Sequence, residues 1–216
     1  MIQILWGILI ILNLWGGSSD AAVSSDLLAF SAGRVMDHVV TSREVKINYV
    51  VESVLYGKKG RPPQWLGDAS NEFSQALSNT LLEWAVALEA ENFEAATAGS
   101  QQQATAIKKV KDAVKAAKPW KALQVTDAEL ESLVQRKLRS KQLIQFKVQA
   151  AAVPITDTEA RRYFDENRLK FGNLPFEKFK SSIKSFLRRQ QVDSRLKEWF
   201  DLLQSKYHVK SYVQGK

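Results

Sequence analysis

Few side chains in this sequence have the chemistry of a catalyst. His38 and His208 are its only histidines, and it has no cysteine and no histidine pair with the spacing of helical metal ligands. Asp165 and Glu166 are adjacent on a predicted helix, where their side chains point about 100° apart, so they do not face one substrate as an acid and base pair. Phosphate-binding glycine loops and the nucleophile motif G-x-S-x-G are also absent. We therefore predict no enzyme activity, no metal site and no cofactor.

Basic residues are the next candidates for function. The sequence has 31 Lys and Arg against 23 Asp and Glu, which gives a net charge of +8 and favours acidic partners. Lysines 108, 111, 115 and 118 form a stripe along one side of a predicted helix. No aromatic residue interleaves with this stripe as stacking on bases would require. The stripe is interpreted as an exposed helix face, and nucleic acid is not the expected partner.

Aromatic residues fall into two groups. Most lie at helical spacing and are expected in the core, namely Phe73, Trp84, Phe146, Phe164, Phe176, Phe186, Trp199 and Phe200. Trp65 and Trp120 differ because each lies in a charged connection next to proline. A large apolar side chain in such a place is either a local plug or an exposed contact for a partner. The sequence leaves both alternatives open for these two residues.

The N-terminus has the features of an export signal. Residues 4–15 are apolar and too few to span a bilayer, and small residues follow with an expected cut after Ala21 or Ala22. No Lys or Arg precedes the apolar run, which is unusual for a signal peptide. Asp20 is the one charged side chain in residues 1–22, so the mature chain would carry 31 basic and 22 acidic side chains. We expect residues 1–21 to be a cleaved signal peptide and the protein to be located in the periplasm of a Gram-negative bacterium.

The first part of the mature chain, residues 22–171, is predicted to begin with a strand pair. Residues 27–35 and 38–41 flank Met36 and Asp37, and a helix with a capping box of Thr41 and Glu44 follows. Residues 57–67 contain three Gly and two Pro and are predicted to be a loop.

Four more helices follow this loop in the prediction. The second spans residues 69–90, and the third begins after Gly99 and is ended by Pro119. Thr126 with Glu129, and Thr156 with Glu159, are predicted capping boxes that open the fourth and fifth helices.

The last part of the chain is predicted to complete the same domain. An apolar pattern over residues 175–206 predicts a helix of about 48 Å, at ~1.5 Å per residue, which implies an elongated molecule. His208 to Val213 alternate like a strand, for which the N-terminal strands are the available partners. The predicted fold is mostly α, a single domain over residues 22–216 in which residues 175–213 complete the N-terminal part and a small sheet.

The ordered segments resemble the chaperone domain of the periplasmic SurA-type chaperones and parvulin-type prolyl isomerases. The resemblance is carried by "DHVVTSREV", by "PWKALQVTDAELESLVQRKLRSKQLIQFKV", and by the stretch from "ITDTEARRYFDENRLKF" to "SKYHVK". In that family the catalytic parvulin domains are inserted between the helices that correspond to those ending at Phe171 and beginning near Pro175. Here only Gly172, Asn173 and Leu174 separate them, whereas a domain needs on the order of a hundred residues. The resemblance therefore implies polypeptide binding without isomerase activity.

The function expected from the sequence is that of an ATP-independent periplasmic chaperone for unfolded or partly folded exported proteins, including those of the outer membrane. A dedicated binding partner of one cell-envelope protein is the alternative, while an active isomerase and a nucleic-acid binder are less favoured. The outer-membrane assembly machinery is a further candidate partner. The residues expected to contact unfolded polypeptide are Trp120 first, then Tyr163 and Trp65.

Overall fold

The computed structural model describes residues 29–67, 70–92 and 99–213. Helices dominate these residues and a small antiparallel sheet accompanies them, which confirms the predicted fold class. The elements in chain order are β1 (Ser31–Val35), β2 (His38–Thr41), α1 (Ser42–Tyr56), α2 (Asn71–Glu91), α3 (Ser100–Val114), α4 (Lys118–Ala122), α5 (Asp127–Ala151), α6 (Asp157–Glu166), α7 (Lys180–Lys206) and β3 (Lys210–Ser211). The predicted signal peptide, the start of the first predicted strand and Ala69 lie outside the described residues.

The sheet joins the two ends of the described chain. Its strand order is β2-β1-β3, and both neighbours pair antiparallel with β1. The prediction that the C-terminal strand pairs with the N-terminal strands is confirmed. Gly33 is required on β1 because a Cβ there would lie 2.7 Å from the carbonyl oxygen of Lys210. The prediction that β3 begins at His208 was wrong. His208 has a φ of +48°, a left-handed conformation that turns the chain out of α7 before the strand starts.

Apolar side chains form three separate clusters. The first contains the inner face of the sheet, α2, Leu143 of α5 and Leu203 of α7. The second lies between α1, α3 and the first half of α5. The third is built from α6 and the start of α7, around Phe164, Phe176 and Ile183. Since Ile183 and Leu203 are twenty residues apart on one helix, the first and third clusters are separated by about 30 Å, which fits the predicted elongation.

Residues 157–187 form a helical hairpin that we call the arm. It comprises α6, two short 3-10 turns (Arg168–Lys170 and Phe176–Lys178) and the start of α7. α6 packs chiefly against α7. Asp157 at the start of α6 pairs with Lys180 at 2.5 Å and also with Lys184, so charges as well as aromatic rings close the hairpin.

Only one of the three predicted capping boxes is complete. Thr156 and Glu159 make both reciprocal hydrogen bonds. Thr41 and Thr126 each accept a bond from the backbone of the glutamate three residues on, at 3.2 Å. The two glutamate side chains turn away from their own helix ends because partners on other elements attract them. Glu44 is hydrogen-bonded to the side chains of Trp84 and His38, and Glu129 accepts hydrogen bonds from Arg43. These bonds to charged or aromatic N–H donors replace the local hydrogen bond to the cap residue.

Several predicted boundaries and burials were wrong. α3 ends at Val114, and Pro119 lies in the first turn of α4, where a missing N–H costs no helical hydrogen bond. α7 begins at Lys180 after a 3-10 turn, so it spans about 40 Å, shorter than predicted. Phe146 and Phe186 were predicted to be core residues, but they are 53% and 49% exposed.

Replacing Leu203 by Ala should lower the free energy of unfolding by about 2–5 kcal/mol, because the side chain is fully buried in the first cluster. Urea denaturation of the purified variant measures the effect. Leu202→Ala is the matched control, since the side chain of Leu202 is 60% exposed and its removal should change stability little. Equal losses in both variants would contradict the described packing of α7.

The ion pair between Arg43 and Glu129 should make the free energy of unfolding depend on pH in the acidic range. The two hydrogen bonds from the guanidinium, at 2.5 and 2.9 Å, lower the pKa of Glu129 from its ordinary value of 4.5. The stabilisation is therefore complete above pH 4.5 and is lost as the pH falls through the lowered pKa of the folded state. Glu129→Gln should be less stable than the original chain at neutral pH, and the difference should shrink in acid. Urea denaturation across this range, with exposed Glu131→Gln as control, measures it. A difference that stays constant with pH would show that the pair does not contribute in this way.

Candidate functional site

A groove with a volume of about 550 Å³ lies between α1, α2 and α5. We call it the three-helix groove. Its apolar walls are formed by the rings of Tyr49 and Tyr56 on α1, by Leu82 and Val86 on α2, and by Ile144 on α5. The groove is open to solvent on one side, since Tyr56 is 38% exposed at its rim. Its size suits one or two large side chains of another molecule.

Helical spacing places these side chains together. Tyr49, Glu52 and Tyr56 lie at i, i+3 and i+7 and therefore share one face of α1. Lys137, Ser140, Lys141 and Ile144 follow the same rule along α5, as do Ala76, Thr80 and Glu83 along α2. The groove is therefore the line along which three such faces meet.

The floor of the groove is an ion-pair network. The Lys137 side chain is only 2% exposed, and its Nζ lies 2.6 Å from Glu52 Oε2 and 2.7 Å from Glu83 Oε2. Arg136 donates from Nε to Glu83 at 3.0 Å and lies 3.3 Å from Glu44. Burial of a charge is costly unless the charge is paired, so these contacts are required for α5 to pack here. The charged residues that line the groove are two glutamates, Glu52 and Glu83, and two lysines, Lys137 and Lys141, so the groove has little net charge to offer a ligand.

Tyr56 presents a neutral hydroxyl at the rim. Burial, followed by the negative charges of Glu52 and Glu83, raises its pKa to about 12. The ammonium of Lys141 lies 4.0 Å from the centre of the ring and covers one of its faces. Tyr56 can therefore donate a hydrogen bond at physiological pH while its ring packs against an apolar group.

A second polar pair stiffens the opposite side of the floor. Asn48 Nδ2 donates to Thr80 Oγ1 at 2.9 Å, and Thr80 in turn donates to the carbonyl of Ala76 at 2.8 Å. Both side chains are buried. The floor is thus held by side-chain bonds between all three helices.

The three residues predicted to contact polypeptide lie elsewhere. Trp120 is on α4, not in a loop, and packs half-buried against the second cluster. Tyr163 lies on the arm and contacts the rings of Phe171 and Phe186, with centroid distances of 6.3 and 5.5 Å. Trp65 is 38% exposed and lines a smaller cavity of about 310 Å³ beside α4. The structure brings Trp65 near α4 but does not join these residues with Tyr163, and none of the three lines the groove.

The residues of the groove were not predicted from the sequence, although one signal was present. Lys137 lies three residues after Val134 and four after Leu133, both of which are buried on the apolar face of α5. A charged residue inside an apolar helical stripe indicates a buried ion pair or a functional site. Tyr49 and Tyr56 gave no comparable signal, because tyrosine occurs at surfaces and in cores alike.

No family model, no curated protein and no solved structure matches the chain. Among the described residues no helix is long and apolar enough to cross a membrane, and no cluster of three or more His, Asp or Glu side chains is arranged to hold a metal ion.

Replacing Lys137 by Met should lower the free energy of unfolding by about 3 kcal/mol, because it breaks a buried ion pair. This value is the lower end of the usual range, since Glu83 keeps Arg136 as a partner. Adding Glu83→Gln to this variant should lower stability further, since it removes the carboxylate that is bonded to the buried guanidinium of Arg136. Chemical denaturation measures both. Lys141→Met, one turn further along α5 and exposed, is the control with little expected change. A fully stable Lys137→Met protein would mean that the ion pairs do not hold the three helices.

Proposed function

We propose that this chain is an ATP-independent chaperone that holds unfolded or partly folded exported polypeptides, that it acts in the periplasm, and that it lacks prolyl isomerase activity. The observation that carries the proposal is the three-helix groove, which is largely apolar and open to solvent. The resemblance of the ordered segments to SurA-type chaperone domains supports the same assignment.

The chemistry of the groove suits a wide range of clients. Apolar side chains of a client would bury surface against Tyr49, Leu82 and Ile144, at ~25 cal/mol per Å². Since the charges of the floor compensate one another, the groove selects for apolar surface and not for the charge of the client. Contacts of this kind are weak one by one, which allows a client to be released without an energy source such as ATP.

The connection between the helices of the arm supports the absence of isomerase activity. Gly172 has a φ of +58°, and the chain turns there between Phe171 and Phe179, whose ring centroids lie 5.0 Å apart. The third cluster thus closes the hairpin at the position where the resembled family carries its catalytic insert. We propose that the arm extends the chaperone domain, and that clients reach Tyr163 and Phe186 on it as well as the groove.

A dedicated partnership with one envelope protein is the second candidate. The observation that favours it is the end of the arm, where Leu169 is completely exposed and Leu174 is 46% exposed. Two exposed leucines at the end of the arm suit one small, specific contact better than they suit many clients. A docking contact with the outer-membrane assembly machinery would be of this kind.

Filling the groove tests the proposal. Gln145 lines the groove and is exposed, so Gln145→Trp should occupy it at little cost in stability. We expect the variant to lose most of its ability to suppress aggregation of several unrelated unfolded proteins, measured by light scattering. Gln135→Trp, an exposed position of α5 outside the groove, is the matched control and should protect normally.

Two results would contradict the proposal. Undiminished protection by a stable Gln145→Trp protein would remove the groove from client binding. Protection of a single client by the original chain, with none for the others, would favour the dedicated partner instead.

A further inference from the structure

Exposed basic side chains line a surface of the molecule formed by the loop of residues 57–66 and by α3 and α4. We call it the basic face. Six of its cations are exposed and make no ion pair with any residue that the structure describes, namely Lys58, Lys59, Arg61, Lys115, Lys118 and Lys121. The loop contains no acidic residue, and residues 99–125 contain six lysines against one aspartate. The face is therefore strongly positive.

Contacts at both ends of the loop make this one continuous face. Near the start of the loop, Lys109 of α3 donates to the carbonyl of Leu55 at 3.1 Å, which places α3 beside the end of α1. The loop then returns along α1, where the Gln64 N–H donates to Ser53 Oγ at 3.0 Å. At its end, Trp65 and Leu123 line the same small cavity, so the loop reaches α4.

The two aspartates next to this face are already paired with lysines. Asp112 is paired with Lys108 at 2.7 Å, and Asp127 is paired with Lys111 at 2.8 Å. These pairs neutralise two lysines of α3 and leave the charges of the loop, of Lys115 and of α4 uncompensated. Trp65, 38% exposed, is the large apolar side chain at the surface beside them, whereas Trp120 packs inward against the second cluster.

We infer that the basic face docks on an anionic phospholipid bilayer. The charges are spread over a loop and two helices, and α3 alone is about 22 Å long at ~1.5 Å per residue, so the array matches an extended negative surface better than one acidic peptide. Lysine and arginine near an anionic bilayer each strengthen attachment, and tryptophan favours the boundary between headgroups and hydrocarbon. The face gathers these residue types, and such attachment would be peripheral and sensitive to salt.

Vesicle flotation of the full chain tests this inference. The vesicles contain either phosphatidylcholine alone or an equal mixture of phosphatidylcholine and phosphatidylglycerol. We expect binding to the mixed vesicles and its loss at high salt. Neutralising Lys58, Lys59 and Arg61 together by Gln should weaken this binding by about a hundredfold, and neutralising Lys115, Lys118 and Lys121 together should have a similar effect.

A control variant with the same loss of charge distinguishes the effect of the basic face on vesicle binding from the effect of the net charge of the chain. Lys178, Arg188 and Arg189 are exposed on or next to the arm, outside the basic face, and their triple replacement by Gln should leave vesicle binding nearly unchanged. An equal loss in this control would overturn the inference. Binding to soluble polyglutamate without binding to the mixed vesicles would also overturn it, and would identify an acidic polypeptide as the partner. Because the basic face and the groove are tested by different variants, either proposal can fail without the other.

Discussion

Arg136 and Lys137 are adjacent on α5 and carry two positive charges into the junction of α1, α2 and α5, where the Lys137 side chain is 2% exposed. Charges at such depth are tolerated only with carboxylates in contact, and Glu44, Glu52 and Glu83 supply them from the other two helices. The positions of the three helices along one another are therefore fixed by bonds that a shift of one turn would break. The contact of the Arg136 guanidinium with the Trp84 ring, at 4.0 Å, extends this constraint into the first cluster.

Local features of the chain were predictable because they depend on neighbours in sequence. All helices except the short α4 were found from apolar spacing and capping residues, and the C-terminal strand was paired correctly because few partners existed for it. Features that depend on distant partners were not predictable. Glu44 and Glu129 fit capping boxes, but a tryptophan, a histidine and Arg43 from other elements bind their carboxylates. The groove was not predicted for the same reason, since its walls come from three helices. Tyr49 and Ile144, which line it together, are 95 positions apart in the sequence.

The fold separates three surfaces with different chemistry. The groove is apolar with an internally compensated floor, the basic face is charged and broad, and the arm ends in two exposed leucines. α7 joins the arm to the rest of the domain, because its end is buried in the first cluster while its start belongs to the arm. A chaperone built in this way would hold clients at the groove and the arm while the basic face positions it at a negatively charged surface.

Site-specific photo-crosslinking tests most directly whether unfolded polypeptide binds in the three-helix groove. A benzophenone side chain at Asn79, on the exposed rim formed by α2, is compared with one at Gln135, exposed on α5 outside the groove. After mixing with a chemically unfolded client and illumination, the account predicts strong crosslinking from position 79 and little from position 135. Equal crosslinking from both positions, or crosslinking from position 135 alone, would contradict it.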